Sequence, residues 1–105
     1  MPNIEEFRTM CLSLPASEEH MHFDKPSFRV NKKIFATLWL EEKLAVIKLT
    51  PEQQNSYCEQ FAYFYPVKGK WGEKGWTHID LHTAHKKICM EALTEAWNSL
   101  HKKKS

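Results

Sequence analysis

Apolar residues recur at Ile4, Phe7, Met10/Cys11 and Leu14. That is helical spacing, and it predicts a first amphipathic helix over 3–13 that ends before Pro15. Asn3 followed by Glu6 has the form of a capping box at its start. The stretch EEHMHFD to Pro26 carries no regular apolar pattern. Ser27–Asn31 alternates, with Phe28 and Val30 on one side and Arg29 on the other, and Asn31-Lys32-Lys33 reads as a turn. Ile34–Leu40 and Leu44–Leu49 are the clearest strands, joined by the polar Glu41–Lys43 as a hairpin. Thr50-Pro51-Glu52-Gln53 marks a helix start, with a Thr cap, Pro at the first position and Gln at the capping-box position. That helix should reach about Gln60. Ala62–Val67 and Trp76–Leu81 read as strands. Lys68–Gly75 holds all three glycines and is expected to be a flexible loop. Thr83 caps a final helix whose apolar positions, from Ala84 through Ile88, Leu93 and Trp97 to Leu100, form one stripe.

The resulting order, α-β-β-β-α-β-β-α, favours an α+β fold: an antiparallel sheet with helices packed on one face. The other face of such a sheet can stay open to solvent. With no internal repeat and no linker, residues 1–105 are expected to be a single domain. At this length a chain can bury roughly 60–70% of its unfolded surface without metal or disulfide support.

Charge changes this picture little, but its distribution matters. Fifteen Lys and Arg against thirteen Asp and Glu give a net charge of +2. The first 24 residues are acidic, whereas basic residues cluster at Lys25–Lys33, Lys68–Lys74, Lys86–Lys87 and the Lys102–Lys104 tail. Cys11, Cys58 and Cys89 are odd in number, widely spaced and without a Cys-x-x-Cys pair. They read as small apolar thiols of a reduced, cytoplasmic protein. The start MPNIEEFRTM has neither a basic n-region nor an apolar h-region, so secretion is not expected. No apolar run approaches the ~20 residues of a membrane helix.

Several short motifs recur in a recognisable order. They are Leu14-Pro15 with Glu18-Glu19, Phe28-Arg29-Val30, Lys33-Ile34-Phe35-Ala36, Lys48-Leu49, Thr50-Pro51-Glu52, and Trp76-Thr77-His78-Ile79 before the last helix. In this order and spacing, over roughly Ile4 to Leu100, the chain resembles the MmcQ/YjbR-like family. The resemblance implies a compact α+β fold of the CyaY-like or double-wing type, and a DNA-binding label. Two departures stand out. Ala96-Trp97 replaces the family's usual Ser-Tyr, and Asn31-Lys32 stands where the family often has a glycine before the Lys-x-Phe strand.

Three constellations carry candidate chemistry. The first is a nucleic-acid surface, with Lys25, Arg29, Lys32 and Lys33 around one strand and turn, and Lys68, Lys70 and Lys74 beside Trp71 in the glycine loop. Cations near phosphates release counterions, and exposed aromatics stack on bases. A Lys-rich turn is also what an ordinary edge strand presents to water. The second is the open sheet face. If Ile34, Ala36, Leu38 and Leu40 face the helices, then Phe35, Thr37 and Trp39 face away, as do Trp76, His78 and Asp80, with Lys48 nearby. Such a face suits a protein or small ligand; the opposite register buries Trp39. The third is metal binding at His20-x-His22 and His78-x-Asp80-x-His82, whose period-2 spacing puts alternate side chains on one face. These are equally half-exposed polar residues, and no metal is assigned. No nucleophile elbow, phosphate loop or cofactor fingerprint is present. A non-catalytic, monomeric binding protein is expected, with DNA or another protein as partner and no cofactor. The alternatives are a protein- or small-ligand-binding domain on the Trp-bearing face and, less favoured, a metal-dependent enzyme using His20, His22, His78 or Asp80.

Overall fold

A computed structural model describes residues 3–101; the Lys102–Lys104 tail lies outside them. Helix α1 (Ile4–Leu12) starts at Asn3, whose side chain accepts from the Glu6 N–H while Glu6 reaches back to the Asn3 N–H. Six strands follow: β1 (Glu18–His22), β2 (Lys25–Val30), β3 (Lys33–Trp39), β4 (Leu44–Lys48), β5 (Phe64–Pro66) and β6 (Trp76–Asp80). Helix α2 (Pro51–Gln60) precedes β5, the one-turn helix α3 (Lys70–Glu73) precedes β6, and α4 (Lys86–His101) ends the fold. The Thr50–Gln53 capping box and the proline in the first turn are both in place.

The strands form one antiparallel sheet in the order β1-β2-β3-β4-β6-β5. Residues directly paired across strands share a face. Phe28, Ala36, Ile47 and Thr77 form one buried row, and Leu38, Ala45, Ile79 and Phe64 the next. Phe7, Met10 and Cys11 of α1, Tyr57 of α2, and Cys89, Ala92, Leu93 and Ala96 of α4 complete this core. Each large apolar side chain removed from water here contributes about 1.5–3 kcal/mol. The Tyr57 hydroxyl donates to Glu95 at 2.7 Å and so ties α2 to α4. Burial pushes the Cys89 thiol up to about 12 and the Cys11 thiol well above its ordinary value, so both pack as neutral groups. Trp97 is partly buried against the core, and its indole N–H donates to the Pro15 carbonyl at 2.8 Å.

The structure departs from the sequence-based expectation in four places. β1 lies where no strand is predicted. All five of its residues are exposed, so no apolar face marks it; main-chain pairing to β2 holds it. Arg8 Nε on Glu19 at 3.2 Å and Ser27 Oγ on the His20 carbonyl at 3.0 Å reinforce it. In place of a flexible loop, Lys68–Gly75 contains α3 and packs closely: a side chain at Gly72 would meet the Val67 carbonyl at 1.8 Å. α4 begins at Lys86 rather than behind Thr83, because the Thr83 and Ala84 N–H groups both turn back to the Asp80 carbonyl. The fourth departure is in β3. Ser27 pairs with Thr37 and Phe28 with Ala36, but Arg29 pairs with Ile34. Phe35 is the extra residue of a β-bulge, which sends both Phe35 and Ala36 into the core and turns Ile34 outward. Ile34 and Phe35 are therefore exchanged relative to strict alternation. Leu40, expected to face the helices, lies past the strand end and is exposed.

Candidate nucleic-acid interface

The face opposite the helices is lined by its own rows. Trp39, Leu44 and Asp80 make one, Thr37, Val46, His78 and Tyr65 the next, then Lys48 with Trp76, and Ile34 with Arg29. Trp39, Trp76 and His78 thus lie on the open face, in the register that leaves Trp39 out of the core. α3 stands over the end of this face and adds Trp71, which is 62% exposed and meets Trp76 edge-on at 6.2 Å. Between them runs a groove of about 750 Å³. Trp39, Trp71 and Trp76, with Ile34, Val46 and Val67, supply its apolar surface. Lys25, Arg29, Lys32, Lys33 and Lys48 supply its charge, and no Asp or Glu is among the described residues that line it.

Sequence proximity explains only part of this convergence. Asn31 and Lys32 both have positive φ (54° and 66°), so the β2–β3 turn is a two-residue hairpin of the kind that asparagine and glycine favour. A glycine at either position would fit that backbone without strain. The turn holds Lys32 and Lys33 at one end of the groove. Arg29 is brought in by β2, and Lys48 by the end of β4.

The charges in the groove are short of partners. Among the described residues, only Lys25 of the five cations has a carboxylate within 4 Å, Asp24 at 3.4 Å. Arg29 Nε is buried and has no hydrogen-bond partner among them. Among the described residues Lys48 donates only to the Leu49 carbonyl, at 3.3 Å. Its ammonium is held below its ordinary pKa by burial first and by the charge of Lys74 second. Lys25 lies over the Trp39 ring at 5.1 Å, and Lys74 over Trp71 at 5.8 Å, both within cation–π range. Lys68 and Lys70 are exposed on the segment carrying Trp71, outside the groove lining.

The YjbR family model matches residues 12–99. The chain belongs to the YjbR family. The fold of this YjbR chain is similar to the crystal structure of the Deinococcus radiodurans protein DR2400, which carries a DUF419 domain. The TM-score is 0.81 at 21% identity, over 98% of this chain and 81% of that one. No curated protein matches the YjbR chain.

The histidines of this YjbR chain do not converge. His20 and His22 sit on the edge strand β1, and three strands separate it from β6 with His78 and Asp80, a distance of roughly 19 Å at the usual strand spacing. Among the described residues no group of three or more His, Cys, Asp or Glu is placed to hold a metal ion. Asp80 instead accepts from the His82 main chain and ring, at 2.9 and 2.8 Å. His78 is only 9% exposed and lies between Trp39 (5.1 Å) and Tyr65 (5.0 Å); its Nδ1 is buried without a partner among the described residues. Among those residues no helix is long and apolar enough to cross a membrane.

Burial pushes the His78 pKa below its ordinary 6.5. The unfolded chain therefore takes up the proton first as pH falls. Stability is whole above about pH 6.5 and drops as the pH is lowered through and below that value. Urea midpoints between pH 8 and 5.5 should fall more for the native protein than for His78→Phe, which keeps a ring between Trp39 and Tyr65. Equal falls would remove His78 as the cause.

Sequence reasoning did not single out Ile34 and Val46 as groove residues. The bulge that turns Ile34 outward leaves no mark in the apolar pattern, and Val46 lies in an almost wholly apolar strand.

Proposed function

We propose that the protein binds single-stranded nucleic acid along the open face of its sheet. The observation that supports this most is the joint lining of the groove: five cations, three tryptophans and no carboxylate among the described residues. A backbone of phosphates needs the first, unpaired bases need the second, and a carboxylate would repel the strand. Arg29, whose Nε has no hydrogen-bond partner among the described residues, and the half-buried Lys48, which there donates to the Leu49 carbonyl, fit the same chemistry, since neither cation is neutralised by a described carboxylate. Contacts of this kind hold backbone and stack on bases without reading sequence.

The test is fluorescence anisotropy with labelled single- and double-stranded oligonucleotides across a salt series. The single strand should bind more tightly, because its bases are free to stack, and its affinity should fall steeply with salt. Lys32→Ala with Lys33→Ala should weaken binding and reduce the salt slope by roughly 1.4, at about 0.7 per phosphate contact. Unchanged affinity in that double variant would sink the proposal.

A second reading is a small ligand that joins a planar ring to a negative charge. The groove volume favours it, since about 750 Å³ falls within the ~300–1,000 Å³ of small-molecule pockets. Oligonucleotide length separates the two. Affinity that grows with length supports the strand, whereas affinity complete at one nucleotide supports the small ligand.

A further inference from the structure

The hairpin joining β1 to β2 presents an aromatic that the core does not use. His22 pairs with Lys25, so Phe23 and Asp24 form a two-residue loop. Phe23 is 90% exposed, and its φ of 61° places it in the left-handed region. A bulky side chain is an outlier there, and a hairpin loop with positive φ at its first residue favours glycine. Folding gains nothing visible from a phenylalanine at this position: among the described residues its one ring contact is the edge of its neighbour His22, at 4.7 Å. Residues that keep backbone strain without packing in return cluster at functional sites. The two residues flanking the loop, His22 and Lys25, both line the groove.

We propose that Phe23 is a further stacking residue of the groove, a ring at the hairpin tip that takes one unpaired nucleobase as the strand leaves the tryptophans. This rests on the single-strand reading above. The phosphate beside that base would lie next to Lys25, whose ammonium already lies against an aromatic face at Trp39. A planar, uncharged base suits Phe23 because stacking needs only a π-face.

The experiment is a two-by-two comparison. Native protein and Phe23→Asn are each titrated with an oligothymidylate and with an abasic strand of the same phosphate count. Asparagine tolerates positive φ, so Phe23→Asn should fold at least as stably as the native chain, and its melting temperature checks that. On the oligothymidylate the variant should bind about fivefold or more weakly with an unchanged salt slope. On the abasic strand the two proteins should bind alike, and Phe23→Trp should restore affinity for the base-bearing strand. Native binding with equal affinity in Phe23→Asn would overturn the role of Phe23 and leave the groove reading intact. An equal loss on both strands would also overturn it, by showing that the ring acts without a base. A native dimer that becomes monomeric in Phe23→Asn would assign the ring to a protein contact instead. Failure of the native protein to bind either strand at low salt would overturn both readings together.

Discussion

Gly75→Ala is expected to destabilise the protein by about 3–5 kcal/mol, the upper end of what single substitutions do. Two causes act together. Gly75 has φ +110°, which side-chain-bearing residues rarely adopt, and a Cβ there would lie 1.8 Å from the Leu49 carbonyl oxygen. That oxygen belongs to main chain held in place from both sides. The Leu49 N–H donates to the Gly75 carbonyl at 3.0 Å, and the Gly75 N–H donates to the Gly72 carbonyl at 3.0 Å. Relief would require pulling β4 away from the start of β6, and so displacing Trp76, the next residue, from the groove. Gly69→Ala is the control. Its φ of +80° carries the same kind of backbone strain, but nothing lies within 4 Å of the added carbon. It should cost less, about 1–3 kcal/mol from the backbone alone. Urea unfolding of the two variants checks the difference; similar losses would mean that the contact with Leu49 does not matter.

Trp71→Ala is expected to weaken single-strand binding by about 5- to 150-fold, the range given by ~1–3 kcal/mol per stacked base. Stability should change little, because the ring is 62% exposed and touches the fold mainly through the edge of Trp76. The salt slope should stay at the native value, since the ring neutralises no phosphate. Lysine removal acts in the opposite way and lowers the slope. Anisotropy at several salt concentrations, with a thermal melt of the variant, reads both quantities. A Trp71→Ala protein with native affinity would show that the strand does not stack at α3.

The two kinds of residue in this groove were legible to different degrees. Lys25, Arg29, Lys32 and Lys33 are close in sequence, and the alternation of Phe28, Arg29 and Val30 already places Arg29 away from the core. Trp39, Lys48 and Trp76 come from three strands, and only pairing places them together. Lys48 meets Trp76 directly across β4 and β6, although 28 positions separate them in the chain. Trp71 stands beside Trp76 because α3 folds over the sheet end, and the close approach at Gly72 permits that packing. β1 was illegible for a different reason: an edge strand exposed on both faces has no apolar pattern to read.

By itself the sequence determined α1, α2 and the body of α4, the central strands and the fold class, but not α3. Capping boxes at Asn3–Glu6 and Thr50–Gln53, and the β-branched and aromatic runs of β3 and β4, are local signals carried by a few neighbouring residues. The family is legible in the same way, through short motifs in a fixed order. The tertiary structure alone decided which face each side chain of β3 takes, because the bulge at Phe35 is set by pairing with β2 and not by the residues of β3 themselves. It also decided that cations and tryptophans share one groove. That depends on strand order and register, which are set by how two faces of a sheet divide between core and water.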